Sequence, residues 1–520
     1  MKIGIPSTIA AVAFSLLISA GQLTLAQAAP PPPPPAAKTA APGPAQPQPW
    51  KSIAIPPLHA FKPAQPRRIE LANGLVIFLQ EDHELPFVDG TILIRGGSRN
   101  EPAAKVGLVS LYGETWRTSG TAAHNGDALD TELAEKAASI ETDGGLEYTA
   151  VQWSGFKQDF DTVFGETFDL LLHPAFKADK LQLAQREMMT GISRRNDEAS
   201  EIAGREAAKL AYGPSSPYAR QAEYATVEAV TLDDLKAFHD STVVPNQMIV
   251  AVEGDFDSAA MEAKLRKVFE PLPMAVSGRG QFAIEAPKQD FSGPTPGVYF
   301  ADKEDVNQSN VEIVGLGTER SNPDYYALSV MNEVFSGGFG SRVVQYVRTK
   351  LGLAYDVSGS FGSSYDHPGI FLSEAGTKSV STVAATQAVL EEIARLKTDP
   401  PTPGELSKAK DQVLNSFIFH YDTPEKTLNE QVNLAFFGYP PDFLEKYRDG
   451  IEKVTAADVT RVANKYIDVS KLAILVVGNK QEIDPPLSKL GKVTDLDISI
   501  PPPPGPPKPN AGGTSAGSGQ

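Results

Sequence analysis

The sequence predicts an α+β fold made of two homologous lobes, each a mostly antiparallel sheet covered by helices. Three observations lead to this prediction: a long globular region, an internal repeat, and apolar runs of strand length. The chain has 520 residues, and its globular part, about 66–482, is long enough for two lobes of roughly 200 residues.

The internal repeat is clearest where each half ends. Residues 230–234 (VTLDD) precede the apolar run 247–252, and residues 454–458 (VTAAD) precede the apolar run 471–477 in the same way. Thr-x-x-Asp predicts a helix start, because the Thr oxygen accepts a hydrogen bond from the fourth residue's amide and the Asp favours the positive helix end. The apolar runs predict strands that helices cover.

The two halves also begin alike. Residues 75–79 and 88–94 predict strands around a polar turn, and residues 298–300 and 311–315 repeat this plan. Between the halves, residues 276–295 are rich in Gly, Pro and charge, which is typical of a linker. We therefore predict an N-terminal lobe over 66–275 and a C-terminal lobe over 296–482.

The two ends of the chain have a different character. Lys2, the apolar run from about Ile9 to Ala20, and Ala26-Gln27-Ala28 predict a cleavable signal peptide over 1–28 and a periplasmic location; an uncleaved anchor is the alternative. Ten prolines lie within 30–49 and seven within 501–509, so we predict a Pro-rich linker over 29–65 and a Pro/Gly-rich tail over 483–520.

Composition excludes several functions. The chain has no Cys, which excludes disulfides, thiolate zinc sites and a cysteine nucleophile. Its net charge of −17 argues against nucleic acid or an anionic membrane as the main partner. The seven His are too far apart in sequence for any two to share a helix turn, and only His83 lies among carboxylates, in a predicted solvated loop.

The most specific motif is residues 336–355, SGGFGSRVVQYVRTKLGLAY. It resembles the Gly-rich turn, helix and Arg-x6-Tyr element of the pitrilysin/insulinase family of zinc peptidases. Residues 95–102 (RGGSRNEP) are similar to the family's first-half strand end and turn. The resemblance covers about residues 66–482.

The resemblance fails at the family's zinc motif, His-x-x-Glu-His. Residues 107–121 keep the surrounding frame, but Ser110 and Glu114 stand at the two His positions and Gly113 at the general-base Glu. A looser alignment puts Gly191 at the third ligand, a Glu. The comparison with the family therefore implies no metal and no other cofactor in this chain.

The retained motif implies a role beside a second chain. In the family, a zinc half and an Arg/Tyr half close on a peptide like a clamshell, and small bacterial members often place the two on separate chains. The resemblance implies that Tyr355 donates a hydrogen bond to the oxyanion. It implies that Arg348 bonds the substrate backbone and holds Tyr355 in place, and that the Gly337-Gly338 turn lets the substrate approach closely. Taken alone, Arg348 and Tyr355 have ordinary structural explanations as a helix-end cation and a surface strand residue.

Three hypotheses follow from the sequence. The first is a non-zinc-binding subunit of an exported heterodimeric metallopeptidase, with zinc in the partner and a peptide or unfolded polypeptide as substrate. The second is a scaffold or peptide-binding pseudoenzyme without a part in catalysis. The third, ranked last, is an active zinc peptidase with ligands rearranged through His83. The sequence does not separate a heterodimer from a homodimer.

Overall fold

The computed structural model describes residues 65–274 and 285–503. The predicted signal peptide, nearly all of the predicted linker over 29–65 and the last part of the predicted tail lie outside these residues. Within the described ranges, none of the helices has the length and apolar character needed to cross a bilayer.

The first half contains one six-stranded sheet in the order β1-β2-β6-β3-β5-β4, with β2 and β6 parallel and the other pairs antiparallel. Its strands are β1 (Arg67–Glu70), β2 (Val76–Glu81), β3 (Phe87–Arg95), β4 (Ser139–Gly144), β5 (Tyr148–Phe156) and β6 (Met248–Gly254). Its helices are α1 (Leu108–Ser119), α2 (Gly126–Glu135), α3 (Phe160–Leu172), α4 (Ala178–Arg194), α5 (Ala199–Tyr212), α6 (Tyr224–Glu228), α7 (Leu232–Thr242) and α8 (Ser258–Phe269).

The second half contains another six-stranded sheet, in the order β10-β12-β8-β13-β7-β14, and the short parallel pair β9–β11. Its strands are β7 (Gly297–Asp302), β8 (Gln308–Leu316), β9 (Thr318–Glu319), β10 (Ala354–Phe361), β11 (Ser363–Ser364), β12 (Ile370–Lys378), β13 (Ala473–Gly478) and β14 (Val493–Asp495). Its helices are α9 (Tyr325–Ser336), α10 (Thr382–Thr398), α11 (Pro403–Phe417), α12 (Pro424–Phe436), α13 (Phe443–Lys453) and α14 (Ala456–Tyr466).

The repeated Thr-x-x-Asp motifs form capping boxes in both halves. The Thr231 hydroxyl accepts a hydrogen bond from the Asp234 amide at 3.3 Å, and the Asp234 carboxylate accepts one from the Thr231 amide at 2.8 Å. Thr455 and Asp458 make the same two bonds at 3.2 and 3.1 Å. The strands that follow, β6 and β13, are buried almost throughout. The prediction of two mostly antiparallel sheets covered by helices is confirmed.

Each half also gives one helix to the other half's sheet, a feature that the sequence analysis did not predict. Helix α5 packs Ile202 and Ala207 against the second sheet, including Leu475. Helix α12 packs Leu428 and Phe436 against the outer face of the first sheet. Both sheets are therefore covered on two faces, and the two halves interlock.

Part of the segment predicted as a tail belongs to the sheet structure. Strand β14 pairs in parallel with β7, and Ile500 packs against the first-half core. In the predicted interlobe linker, 276–295, the described part also makes contacts: Phe291 packs against Tyr212 with ring centroids 5.6 Å apart. The lobe boundaries drawn from the sequence remain predictions.

Candidate functional site

The Gly-rich turn follows helix α9 and begins with Gly337 and Gly338. Gly338 has a φ of +84°, a conformation that side chains with a Cβ rarely adopt. The Ser341 hydroxyl donates a hydrogen bond to the Gly338 carbonyl at 2.7 Å, and the Gln345 side-chain amide donates to the Phe339 carbonyl. These bonds fix the turn from the first residues of the next helical segment.

That helical segment, Val344–Lys350, is a π-helix and carries Arg348. The Arg348 guanidinium lies 5.0 Å from the centre of the Phe339 ring and 5.0 Å from the centre of the Tyr355 ring. Both distances allow a cation–π attraction, so the two rings position the cation. The sequence predicted the Arg348–Tyr355 pair, whereas it indicated no role for Phe339, which lies in the same motif.

Tyr355 lies on β10, the edge strand of the second sheet. The pairing of β10 with β12 shifts register between Ala354 and Asp356, which places Tyr355 at a bulge. Its side chain is 83% exposed, and that of Phe339 is 73% exposed. Within the described residues, neither Arg348 nor the Tyr355 hydroxyl makes a hydrogen bond or ion pair, so their donors are free to bind a ligand.

In the first half, the three degenerate zinc-motif positions lie on α1. Ser110 and Glu114 are exposed, whereas Gly113 is buried against the edge strand β4. A β-carbon on Gly113 would lie 2.8 Å from the amide nitrogen of Gly144. The position that carries the general base in the family therefore has no room for a side chain, and without His these residues do not fit a zinc ion.

Helix α4 carries the last of the predicted degenerate positions. Gly191 is exposed, a β-carbon added to it would have no neighbour within 4 Å, and Glu187 lies one turn before it. Partial desolvation at the helix surface, then the charges of Glu187 and Glu141, raise the pKa of Glu114. Carboxylates thus gather near the degenerate motif, but among the described residues they do so without the imidazoles that a catalytic zinc site of this type uses.

The His residues give two local clusters. His83 is an exposed residue whose Nδ1 lies 2.6 Å from Asp255 Oδ1 and whose Nε2 lies 3.6 Å from Glu81 Oε2. A second cluster joins His124, Glu132 and Glu166, whose candidate ligand atoms lie within 4.8 Å of one another. The sequence analysis missed this cluster, because its members come from a loop, α2 and α3 and no short motif links them.

Comparisons with known proteins find relatives that match most of the chain. A sequence profile described as "Peptidase M16 inactive domain" matches residues 229–413. A Helicobacter pylori protein named "Non-peptidase homolog YmxG" is 23% identical over 424 residues, which cover 80% of this chain and 94% of that protein.

Two solved structures have the same fold. The peptidase M16 inactive domain from Pseudomonas fluorescens matches with a TM-score of 0.72 at 22% identity, over 80% of this chain and 98% of that one. The periplasmic protease PqqL from Escherichia coli matches with a TM-score of 0.65 at 14% identity, over 81% of this chain and 46% of that one. This chain therefore corresponds to about half of PqqL.

Proposed function

We propose, from the homology of this chain to the M16 peptidases, that it is the non-zinc-binding subunit of an exported heterodimeric metallopeptidase. The resemblance to the pitrilysin/insulinase zinc peptidases, without their zinc motif, is confirmed by these comparisons. The pairing, the periplasmic location and the roles of Arg348 and Tyr355 are our proposals.

The arrangement of Arg348 and Tyr355 is the observation that carries this proposal. Two exposed rings hold the Arg348 guanidinium, and neither Arg348 nor the Tyr355 hydroxyl has a hydrogen-bond partner among the described residues. Exposing a Phe, a Tyr and a cation together beside an edge strand gives the isolated chain little stability. It does provide donors that match the carbonyl oxygens of an extended peptide.

In this proposal the residues of this chain bind and orient the peptide. Arg348 donates hydrogen bonds to the substrate backbone, and the Tyr355 hydroxyl donates one to the oxygen of the carbonyl that is attacked. Such a donor is worth more as negative charge develops on that oxygen, and its removal typically lowers turnover by about 10²- to 10³-fold. The partner carries the zinc ion, because the residues at the degenerate zinc motif of this chain do not fit one.

Reconstitution tests the proposal. We would purify this chain and a zinc-bearing homologue encoded beside it, and measure peptide cleavage by each alone and by the mixture. We expect activity only in the mixture, and we expect Tyr355→Phe to lower kcat far more than it raises KM. Tyr346→Phe is the matched control, because Tyr346 lies on the same helical segment as Arg348 but its hydroxyl bonds Glu391 of α10.

A partner that is fully active alone would contradict the proposal. The alternative, a scaffold or peptide-binding pseudoenzyme, is favoured by the name of the H. pylori relative, "Non-peptidase homolog". It predicts that Arg348→Ala and Tyr355→Phe leave any activity of the assembly unchanged. The periplasmic location is supported by the predicted signal peptide and by the likeness to PqqL, which is itself a periplasmic protease, and cell fractionation tests it.

A further inference from the structure

The second half retains a counterpart of the degenerate zinc motif. Helix α9 begins the second half's helical layer as α1 does in the first half. Adding 219 to the number of a residue in α1 gives the corresponding residue of α9, as from 110 to 329. That shift maps Ser110, Gly113 and Glu114 onto Ser329, Asn332 and Glu333. Glu333 therefore corresponds to Glu114, the position of the family's second zinc-binding His.

The same shift relates the contacts that both helices make with an edge strand. In the first half, Arg117 donates a hydrogen bond to the Ile140 carbonyl of β4. In the second half, Ser336 at the position of Arg117 accepts one at 3.0 Å from the amide of Gly359, the counterpart of Ile140 on β10. In both halves, the helix residue at this position thus bonds the backbone of the edge strand.

The two counterparts differ in the space around them. At Gly113 the helix closes directly on β4. At Asn332 and Glu333 the structure has a cavity of about 350 Å³ between α9, α11 and the end of β10. That volume is within the range of small-ligand sites, and it is large enough for one long side chain.

Glu333 is the only acidic residue among those that line the cavity in the described chain, and none of the lining residues is Lys or Arg. Its Oε2 is buried and has no hydrogen-bond partner among the described residues. Burial raises the pKa of Glu333, as expected for a carboxyl group without a cation. A β-carbon on Gly337 would collide with this carboxylate, so the Gly-rich turn lies directly against Glu333.

Aromatic rings form part of the remaining wall, beside several serines and His420. Tyr325, Phe361, Phe417 and Tyr447 line the cavity. The Tyr325 and Tyr447 ring centroids are 5.5 Å apart, and those of Phe417 and Tyr447 are 6.0 Å apart. Aromatic faces combined with one carboxylate favour an organic cation, because both the ring quadrupoles and the charge attract it.

We propose that this cavity binds the guanidinium or ammonium group of an arginine or lysine side chain in a peptide that lies along the Gly-rich turn. This inference rests on the proposed peptide-binding function and adds a preference for basic substrates. Glu333 pairs with the cation, and Asn332 on the same wall is held in place by two hydrogen bonds with the backbone of Phe361. The Glu333 carboxylate lies between this cavity and Gly337, so the cavity adjoins the turn that precedes Arg348.

The test uses the full chain without a partner and a pair of labelled peptides. One peptide has a single central arginine, and the other has citrulline there, which keeps the shape of the side chain and removes its charge. We expect fluorescence anisotropy to show at least about tenfold tighter binding of the arginine peptide. Glu333→Gln should abolish this preference, whereas Glu445→Gln, an exposed change on α13, should leave it intact.

Equal affinities of the wild-type chain for the two peptides would overturn the proposal, as would an unchanged preference in Glu333→Gln. The wild-type comparison needs no substitution, so a folding defect in one variant does not decide the outcome. Tyr355→Phe should keep the arginine preference while it lowers turnover in the complex. The cation site and the catalytic contribution can therefore fail separately.

Discussion

Gly113 and Gly144 bring helix α1 and strand β4 into backbone contact: a β-carbon on Gly113 would lie 2.8 Å from the Gly144 amide nitrogen, and one on Gly144 would collide with the Val109 carbonyl. Two glycines facing each other allow this approach. The contact explains why the first half cannot regain a zinc site by side-chain replacement alone. The helix and the strand would first have to separate.

The triple change Ser110→His, Gly113→Glu and Glu114→His should therefore fail to produce a zinc peptidase. Because backbone atoms rather than flexible side chains occupy the space, we expect Gly113→Glu alone to lower the free energy of unfolding by about 1–3 kcal/mol. Urea denaturation would measure this change. Gly191→Glu is the control, since open space surrounds that helical position and the change should not destabilise the chain.

Replacing Arg348 should separate function from stability. Within the part of the chain that the structure describes, its guanidinium makes no hydrogen bond or ion pair and lies over two exposed rings, those of Phe339 and Tyr355. Arg348→Ala should change the free energy of unfolding by less than about 1 kcal/mol, yet lower kcat/KM of the reconstituted peptidase. Thermal unfolding and cleavage assays on the same preparations would show this. A large loss of stability would mean that Arg348 has a structural role instead.

The exchanged helix α12 makes the first sheet depend on the second half. Phe436 is 1% exposed, its ring centroid lies 5.5 Å from that of Tyr148, and the Arg95 guanidinium lies 4.4 Å from its centre. We expect Phe436→Ala to cost about 3–5 kcal/mol, as for other buried Phe residues. Hydrogen exchange should show lost protection in β2 and β6, which α12 covers.

Phe419→Ala provides the matched control for this change. Phe419 also follows α11 in the second half, but its side chain is 64% exposed. Its replacement should alter the free energy of unfolding by no more than about 0.5 kcal/mol. If Phe436→Ala left β2 and β6 fully protected while the second half loosened, the two halves would be independent folding units.

Local signals predicted the parts of the fold that local physics determines. The capping boxes at Thr231 and Thr455 and the buried strands β6 and β13 follow from short patterns of polar and apolar residues. The exchange of α5 and α12 could not be predicted in this way. An amphipathic helix specifies that one of its faces is buried, but not which sheet covers that face.

The same distinction applies to the candidate site. The resemblance identified Arg348 and Tyr355 because they lie in one contiguous string. The cavity at Glu333 and the cluster of His124 with Glu132 and Glu166 depend on residues from separate elements. Such groups come together only through tertiary packing, so sequence spacing carries no signal for them.

Glu312 should make stability depend on pH. Burial, and then the charge of Glu374 opposite it on β12, raise the pKa of Glu312 from 4.5 to about 8. An unfolded chain ionises this group near the lower value, so between the two values the folded state holds more protons. Stability should therefore fall as the pH rises through that window, by at most about 1.4 kcal/mol per pH unit.

Glu312→Gln removes this ionisation and keeps the shape of the side chain. We expect urea denaturation at pH 5 and at pH 8 to show a smaller loss of stability in Glu312→Gln than in the wild-type chain, with the variant the more stable of the two at pH 8. Glu445→Gln, on an exposed helix position, should retain the wild-type dependence. If Glu312→Gln lost as much stability as the wild type between these pH values, another group would be responsible, because the amide does not titrate.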